Sequence, residues 1–126
     1  MYQDDLKIFI EMELDKVSWF KNLSIATKNE IIYGMEREEK TAGSMLVAAG
    51  TKADRMYLVQ SGTIDIYTSY DKNGTPFLIE RLERGCIINH RSFIVEDEID
   101  TDYTCKEKVS VFSLSLEKVK EIMKRR

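Results

Sequence analysis

The chain has 126 residues, 43% of them hydrophobic and a third charged, with a formal net charge of −3. That is enough apolar content for one domain with a buried core, and too little positive charge for a broadly basic nucleic-acid surface. Apolar runs such as Met45 to Ala49 are far too short to cross a bilayer.

The N-terminal segment reads as helical. Leu6, Phe9, Ile10, Leu14 and Val17 recur at helical spacing, and Trp19, Phe20 and Leu23 extend the apolar face. Asp4 and Asp5 stand where a secretory signal would be basic, so no targeting segment is expected. Thr27-Lys-Asn-Glu30 fits a capping box ahead of Ile31, Ile32 and Met35. Glu36 to Lys40 is expected to form a charged, solvated turn.

From Thr41 the period shortens. Met45 to Ala49 lies between Gly43 and Gly50, and Met56 to Val59 is closed by Ser61-Gly62. Ile64 and Ile66 alternate with polar residues before a turn at Asp71-Lys-Asn-Gly74. Phe77 and Ile79 alternate before the turn at Glu83-Arg-Gly85, and Val109, Val111 and Leu114 close the set. Short strands at such spacing predict a sandwich or barrel. Ser115 then precedes Leu116, Val119, Ile122 and Met123, an amphipathic helix with basic residues in its last turn. The order is helices, strands, helix, which makes the class α+β. The domain is expected to run over 1–126, with a helical lead-in at 1–38, strands at 39–114 and a C-terminal helix at 115–126.

Cys86 and Cys105 are the only cysteines and His90 the only histidine. No zinc set is spelled, and two reduced thiols are expected. Glu96-Asp-Glu-Ile-Asp100-Thr-Asp102 offers hard oxygen ligands but lacks the glycine and closing glutamate of an EF-hand, so it reads as a solvated loop. Nothing resembles an activated nucleophile, a metal set or a convergent acid–base pair, so no enzyme activity is expected.

Taken together, the turns say more. Ala42-Gly43-Ser-Met-Leu46, then Gly50-Thr-Lys-Ala53-Asp54-Arg-Met56-Tyr57 through Gly62-Thr-Ile-Asp-Ile66-Tyr67, and finally Leu82-Glu-Arg-Gly85, resemble the core of cyclic-nucleotide-binding domains. Val17-Ser-Trp-Phe20-Lys-Asn-Leu23 is similar to the helical lead-in of the ion-channel members. The resemblance implies an antiparallel, jelly-roll-like β-roll of about eight strands. It also implies N-terminal helices, a short cassette helix within 85–105 and a C-terminal helix. A ligand is then held between roll and cassette, under a further lid helix that is expected to lie beyond this chain.

In that family the cassette carries a Phe-Gly-Glu triplet and, further on, an arginine that pairs with the phosphate. Here the triplet reads Ile88-Asn89-His90, and the arginine position falls at Asp100, followed by a fitting small residue, Thr101. Asn89, His90, Arg91, Ser92, Asp100 and Thr101 are therefore the candidate positions of a vestigial ligand site. Between Asn89 and Asp102 only Arg91 is positive, against five carboxylates, a net of −4. A like charge about 4 Å away repels by roughly 4 kcal/mol at an effective dielectric near 20. Ordinary cAMP or cGMP binding is thus disfavoured and no cofactor is expected. Ile88, Phe93, Ile94 and Ile99 are expected to join the core and to fill the former cavity. Arg91 is expected to pair with the acidic run.

The leading expectation is a regulatory, non-catalytic module. It would be the cytoplasmic gating or assembly domain of an ion channel, partnered by the rest of a longer membrane chain and by its own copies, without nucleic acid. The alternative is a genuine cAMP or cGMP sensor with a shifted mode that uses Arg91 and Thr101. An open, partly basic cavity would favour the sensor.

Overall fold

The computed structural model describes residues 4–68 and 74–125. The predicted turn at Asp71–Asn73 and the last basic residue, Arg126, lie outside them. Three helices come first: α1 (Asp4–Leu14), α2 (Ser18–Lys21) and α3 (Ile25–Tyr33). Helix α1 places acidic Asp4 and Asp5 in its first turn and buries Ile10 and Leu14. Helix α3 starts earlier than the capping box predicts. Its N-cap is Ser24, whose hydroxyl accepts the Thr27 amide at 3.2 Å and donates to the Thr27 hydroxyl at 2.9 Å. Thr27 is a buried residue of the first turn, with its hydroxyl satisfied by that same serine.

Eight strands and two helices follow. They are β1 (Glu36–Lys40), β2 (Met45–Val47), β3 (Arg55–Ser61), β4 (Ile64–Thr68), β5 (Phe77–Leu82), β6 (Ile87–Ile88), helix α4 (Ser92–Val95), β7 (Asp102–Cys105), β8 (Val109–Ser115) and helix α5 (Leu116–Lys124). They form two four-stranded antiparallel sheets, ordered β1-β8-β3-β6 and β2-β7-β4-β5. This is the predicted α+β jelly-roll-like roll with helices at both ends.

The solvated turn expected at Glu36 to Lys40 is instead the edge strand β1, in register with β8 from Glu36↔Ser113 to Lys40↔Val109. An edge strand needs backbone pairing on one side only, so it tolerates charge on both faces. Residues two apart share a face and pair there, Lys40 to Glu38 at 3.2 Å and Arg37 to Glu39 at 3.7 Å.

Strand β8 is the inner partner of both β1 and β3, and Val109 to Leu114 is buried throughout. Phe112 and Leu114 face Leu58 and Met56 across the ladder. Its two buried serines are not left unpaired: Arg37 Nη2 donates to Ser110 Oγ at 3.4 Å and Arg55 Nη1 to Ser113 Oγ at 3.3 Å. Phe20, Ile31 and Ile32 bring the helices into the same core. Helix α5 starts as predicted, with Ser115 accepting the Lys118 amide at 3.0 Å and Leu116, Val119 and Ile122 buried. Cys86 and Cys105 are both free thiols.

Two features of the roll give measurable expectations. Gly62 turns between β3 and β4 at φ +89°, where a Cβ would come within 2.4 Å of the Lys108 carbonyl oxygen and 2.9 Å of Val109 Cα. Gly43 shares the left-handed backbone, at φ +86°, with no atom within 4 Å of such a Cβ. Gly62→Ala should therefore cost roughly 2–4 kcal/mol in urea unfolding, and Gly43→Ala about 1 kcal/mol. Equal effects would contradict the close packing at Gly62.

Asp65 is buried on β4 and accepts from Arg81 Nε at 2.6 Å and Nη2 at 3.2 Å. Those hydrogen bonds hold its carboxyl below the usual aspartate range. A depressed folded-state pKa adds stability that is complete above the unfolded value of about 4 and is lost as pH falls through the folded value. Melting curves from pH 5 downward should show a steeper acid loss in the wild type than in Asp65→Asn.

Candidate functional site

The cassette leaves the roll after β5. Arg84 stacks its guanidinium on the Phe9 ring of α1 at 3.9 Å. Strand β6 then pairs with β3, Ile88 opposite Tyr57 and Ile87 opposite Leu58, and buries Ile88. The next residue, Asn89, takes a left-handed backbone at φ +68°. Of the side chains with a Cβ, asparagine is among those that tolerate this region best. Its carboxamide nitrogen donates to the Arg55 carbonyl at 3.2 Å, and its own carbonyl accepts the Phe93 amide at 3.0 Å. The position that holds glycine in the resembling family therefore keeps a glycine-like conformation here, fixed by β3 on one side and α4 on the other.

Helix α4 is a single turn and has room for one inward residue, Phe93, which is buried. Trp19 of α2 covers it, with ring centroids 5.8 Å apart, and donates its indole Nε1 to the His90 carbonyl at 2.9 Å. The N-terminal helices thus touch the cassette before it starts, through Phe9, and inside it, through Trp19. Ile94 follows Phe93 and faces outward, exposed, contrary to its expected place in the core.

A groove of about 410 Å³ opens between this cassette and the second sheet. Cassette residues Cys86 to Ser92 line one side, and Ile66, Glu80, Leu82 and Tyr103 line the other. Its size falls in the range of small-molecule sites. Ile88, Phe93 and Ile99 are buried as predicted, yet the cavity is not filled from inside. With one turn in α4, only Phe93 can point inward from that helix.

Four of the six candidate positions come together here. Asn89, His90, Arg91 and Ser92 all line the groove, whereas Asp100 and Thr101 do not. The acidic run is turned onto the loop at 49–53. The Asp97 carbonyl accepts the Ala53 amide at 3.0 Å, Glu98 stands opposite Lys52 in an isolated antiparallel backbone pairing, and Ile99 and Gly50–Thr51 exchange hydrogen bonds of 2.7 and 2.8 Å. Asp102 Oδ1 takes the Ala49 amide at 2.8 Å, and Glu96 lies 3.7 Å from Lys120.

The pair expected between Arg91 and that run is therefore not formed. Arg91 is exposed at the groove, with no hydrogen bond or ion pair to its side chain among the described residues. The net of −4 counted along the sequence is not the charge of the groove, whose lining carries one carboxylate, Glu80, and one guanidinium, Arg91. Burial, and then the charge of Arg91, push the His90 imidazole below the ordinary histidine value, which keeps it neutral at pH 7. Glu80 and Tyr103 were not singled out in the sequence. Their signal was strand parity: Glu80 stands two residues before Leu82 and opposite Ile66, and all three line the groove.

The description "Cyclic nucleotide-binding domain" is that of the family model matching residues 37–126. Among curated proteins none matches the chain. Solved structures do. The cAMP-bound PfPKA-R structure superposes with a TM-score of 0.85 at 16% identity, covering 97% of this chain and 43% of that one. A cyclic nucleotide-binding-like protein from Brucella abortus gives 0.79 at 22% identity, covering 90% and 96%. The regulatory subunit of a cAMP-independent protein kinase A from Trypanosoma cruzi, bound to guanosine, gives 0.73 at 17% identity, covering 94% and 41%. At these identities the likeness is one of fold, and the chain spans less than half of both kinase regulatory chains. With the family model spanning β1 to α5, the chain belongs to the cyclic nucleotide-binding domain family.

Proposed function

We propose that this is a non-catalytic regulatory domain whose groove receives a purine nucleoside through its base and sugar, with little contribution from a phosphate. The observation that carries the reading is the composition of the open groove: one exposed cation, one carboxylate and a neutral histidine, beside apolar Ile66 and Leu82. An exposed ion pair is worth about 0–1 kcal/mol, against roughly 1.5–3 kcal/mol for a charge-assisted hydrogen bond in a protected site. Arg91 is of the first kind, so a cyclic phosphate gains little from it. Guanosine in the Trypanosoma cruzi regulatory subunit supports the idea that this fold can hold an uncharged nucleoside.

Cys86 and His90 share the groove without a hydrogen bond between them, which argues against a thiol–imidazole catalytic pair. The parent, in this reading, is a longer regulatory chain. A channel parent gains no support from the structures described above, which include two kinase regulatory subunits, and no helix among the described residues is long and apolar enough to cross a membrane.

Calorimetric titration tests the reading. A nucleoside and its 3′,5′-cyclic monophosphate should bind with dissociation constants within about threefold of each other, a difference below about 1 kcal/mol. Arg91→Ala should weaken the cyclic nucleotide by no more than about fivefold. A tenfold or greater preference for the cyclic monophosphate would overturn the proposal, because it would require a phosphate anchor.

A further inference from the structure

We propose that Glu80 reads the base, and that it selects guanine. The inference rests on the nucleoside reading of the groove and goes beyond it by naming the base and the residue that chooses it. Glu80 lies on β5 opposite Ile66 of β4, and two residues before Leu82. Both neighbours are largely buried apolar residues, 8% and 9% exposed, so Glu80 is the one charged group on a wall it shares with Ile66, Leu82 and Tyr103. The cation next to it in sequence, Arg81, is taken by Asp65 through two hydrogen bonds. Glu80 lines the groove, is exposed, and has no ion pair or side-chain hydrogen bond among the described residues.

A carboxylate only accepts hydrogen bonds, and it is best satisfied by two adjacent donors. Among the common nucleobases guanine alone presents them on its Watson–Crick edge, as N1–H beside the N2 amine. Adenine offers an acceptor, N1, next to its amine, and a carboxylate there would face a lone pair. Inosine keeps N1–H and lacks the amine. A site built to take a donor rejects the analogue without it, because the carboxylate, exposed in the free protein, is covered by the bound base and left unpaired. Glu80 thus ranks guanosine first, inosine second and adenosine last.

The test is calorimetry or chemical-shift titration of the chain with guanosine, inosine and adenosine, on wild type and Glu80→Gln. Wild type should bind guanosine at least about tenfold more tightly than adenosine, with inosine between them. Glutamine replaces one acceptor oxygen by a donor, so the variant should lose about tenfold for guanosine and little or nothing for adenosine. Glu80 is exposed, so its melting profile should match the wild type. Equal binding of the three nucleosides, or an unchanged guanosine affinity in Glu80→Gln, overturns the role of Glu80 while leaving nucleoside binding in place. Absence of saturable binding by all three overturns both.

Discussion

The left-handed turn at Asn89 is the constraint on which the site depends. It joins the end of β6 to the cassette helix and so sets where the whole groove wall stands. A residue with a Cβ in that region costs roughly 1–2 kcal/mol. Here the cost is offset locally, by the carboxamide bond to the Arg55 carbonyl and by the Asn89 carbonyl that accepts the Phe93 amide. Phe93 then fixes α4 to the core, and Trp19 fixes both Phe93 and the His90 carbonyl to the N-terminal helices. The cassette keeps its form with a different residue at its glycine position because asparagine can adopt the conformation and carries its own anchor.

Electrostatics follow from the same geometry. Carboxylates adjacent in sequence to the cassette helix leave the groove because the chain reverses at Glu96, also left-handed at φ +57°, and then runs against the loop at 49–53. The Asp97 carbonyl and both backbone groups of Ile99 are satisfied there, and Asp102 uses one oxygen on the Ala49 amide. Proximity along the chain therefore misjudged proximity to the ligand site. What remains at the groove is the Arg91 guanidinium on one wall and the Glu80 carboxylate on the other, neither of them ion-paired among the described residues, a surface of balanced charge rather than a repulsive one. The contacts of α1 and α2 with the cassette, through Phe9 and Trp19, place the N-terminal helices where a change in the groove could reach them.

Much of the fold was legible because its signals are local. Strands β3, β4 and β8 announce themselves by apolar residues at strand spacing between glycine turns, and α5 by Ser115 ahead of a helical stripe. Strand β1 was hidden because an edge strand of Glu, Arg, Glu, Glu and Lys has no apolar alternation to read. Strands β6 and β7 are two and four residues long, too short to show a period, and are specified by their partners in β3, β2 and β4. Half of the groove was legible for a similar reason: the cassette is one continuous segment, 86–92, that family resemblance points to directly. The other wall comes from three separate strands, and Glu80 and Tyr103 meet the cassette only after the sheets have formed.

Amide chemical-shift mapping with guanosine tests the role of the groove most directly. Ligand in the groove should move the resonances of Ile87 to Ser92, Glu80 and Tyr103, together with the indole N–H of Trp19 that is bonded to the His90 carbonyl. A second cavity of about 270 Å³ lies between β2 and the start of β3, lined by Met45, Lys52 and Tyr57 among others and sharing only Asn89 with the groove. Shifts confined to that cavity, or scattered over no continuous surface, would contradict a ligand site between the cassette and the second sheet.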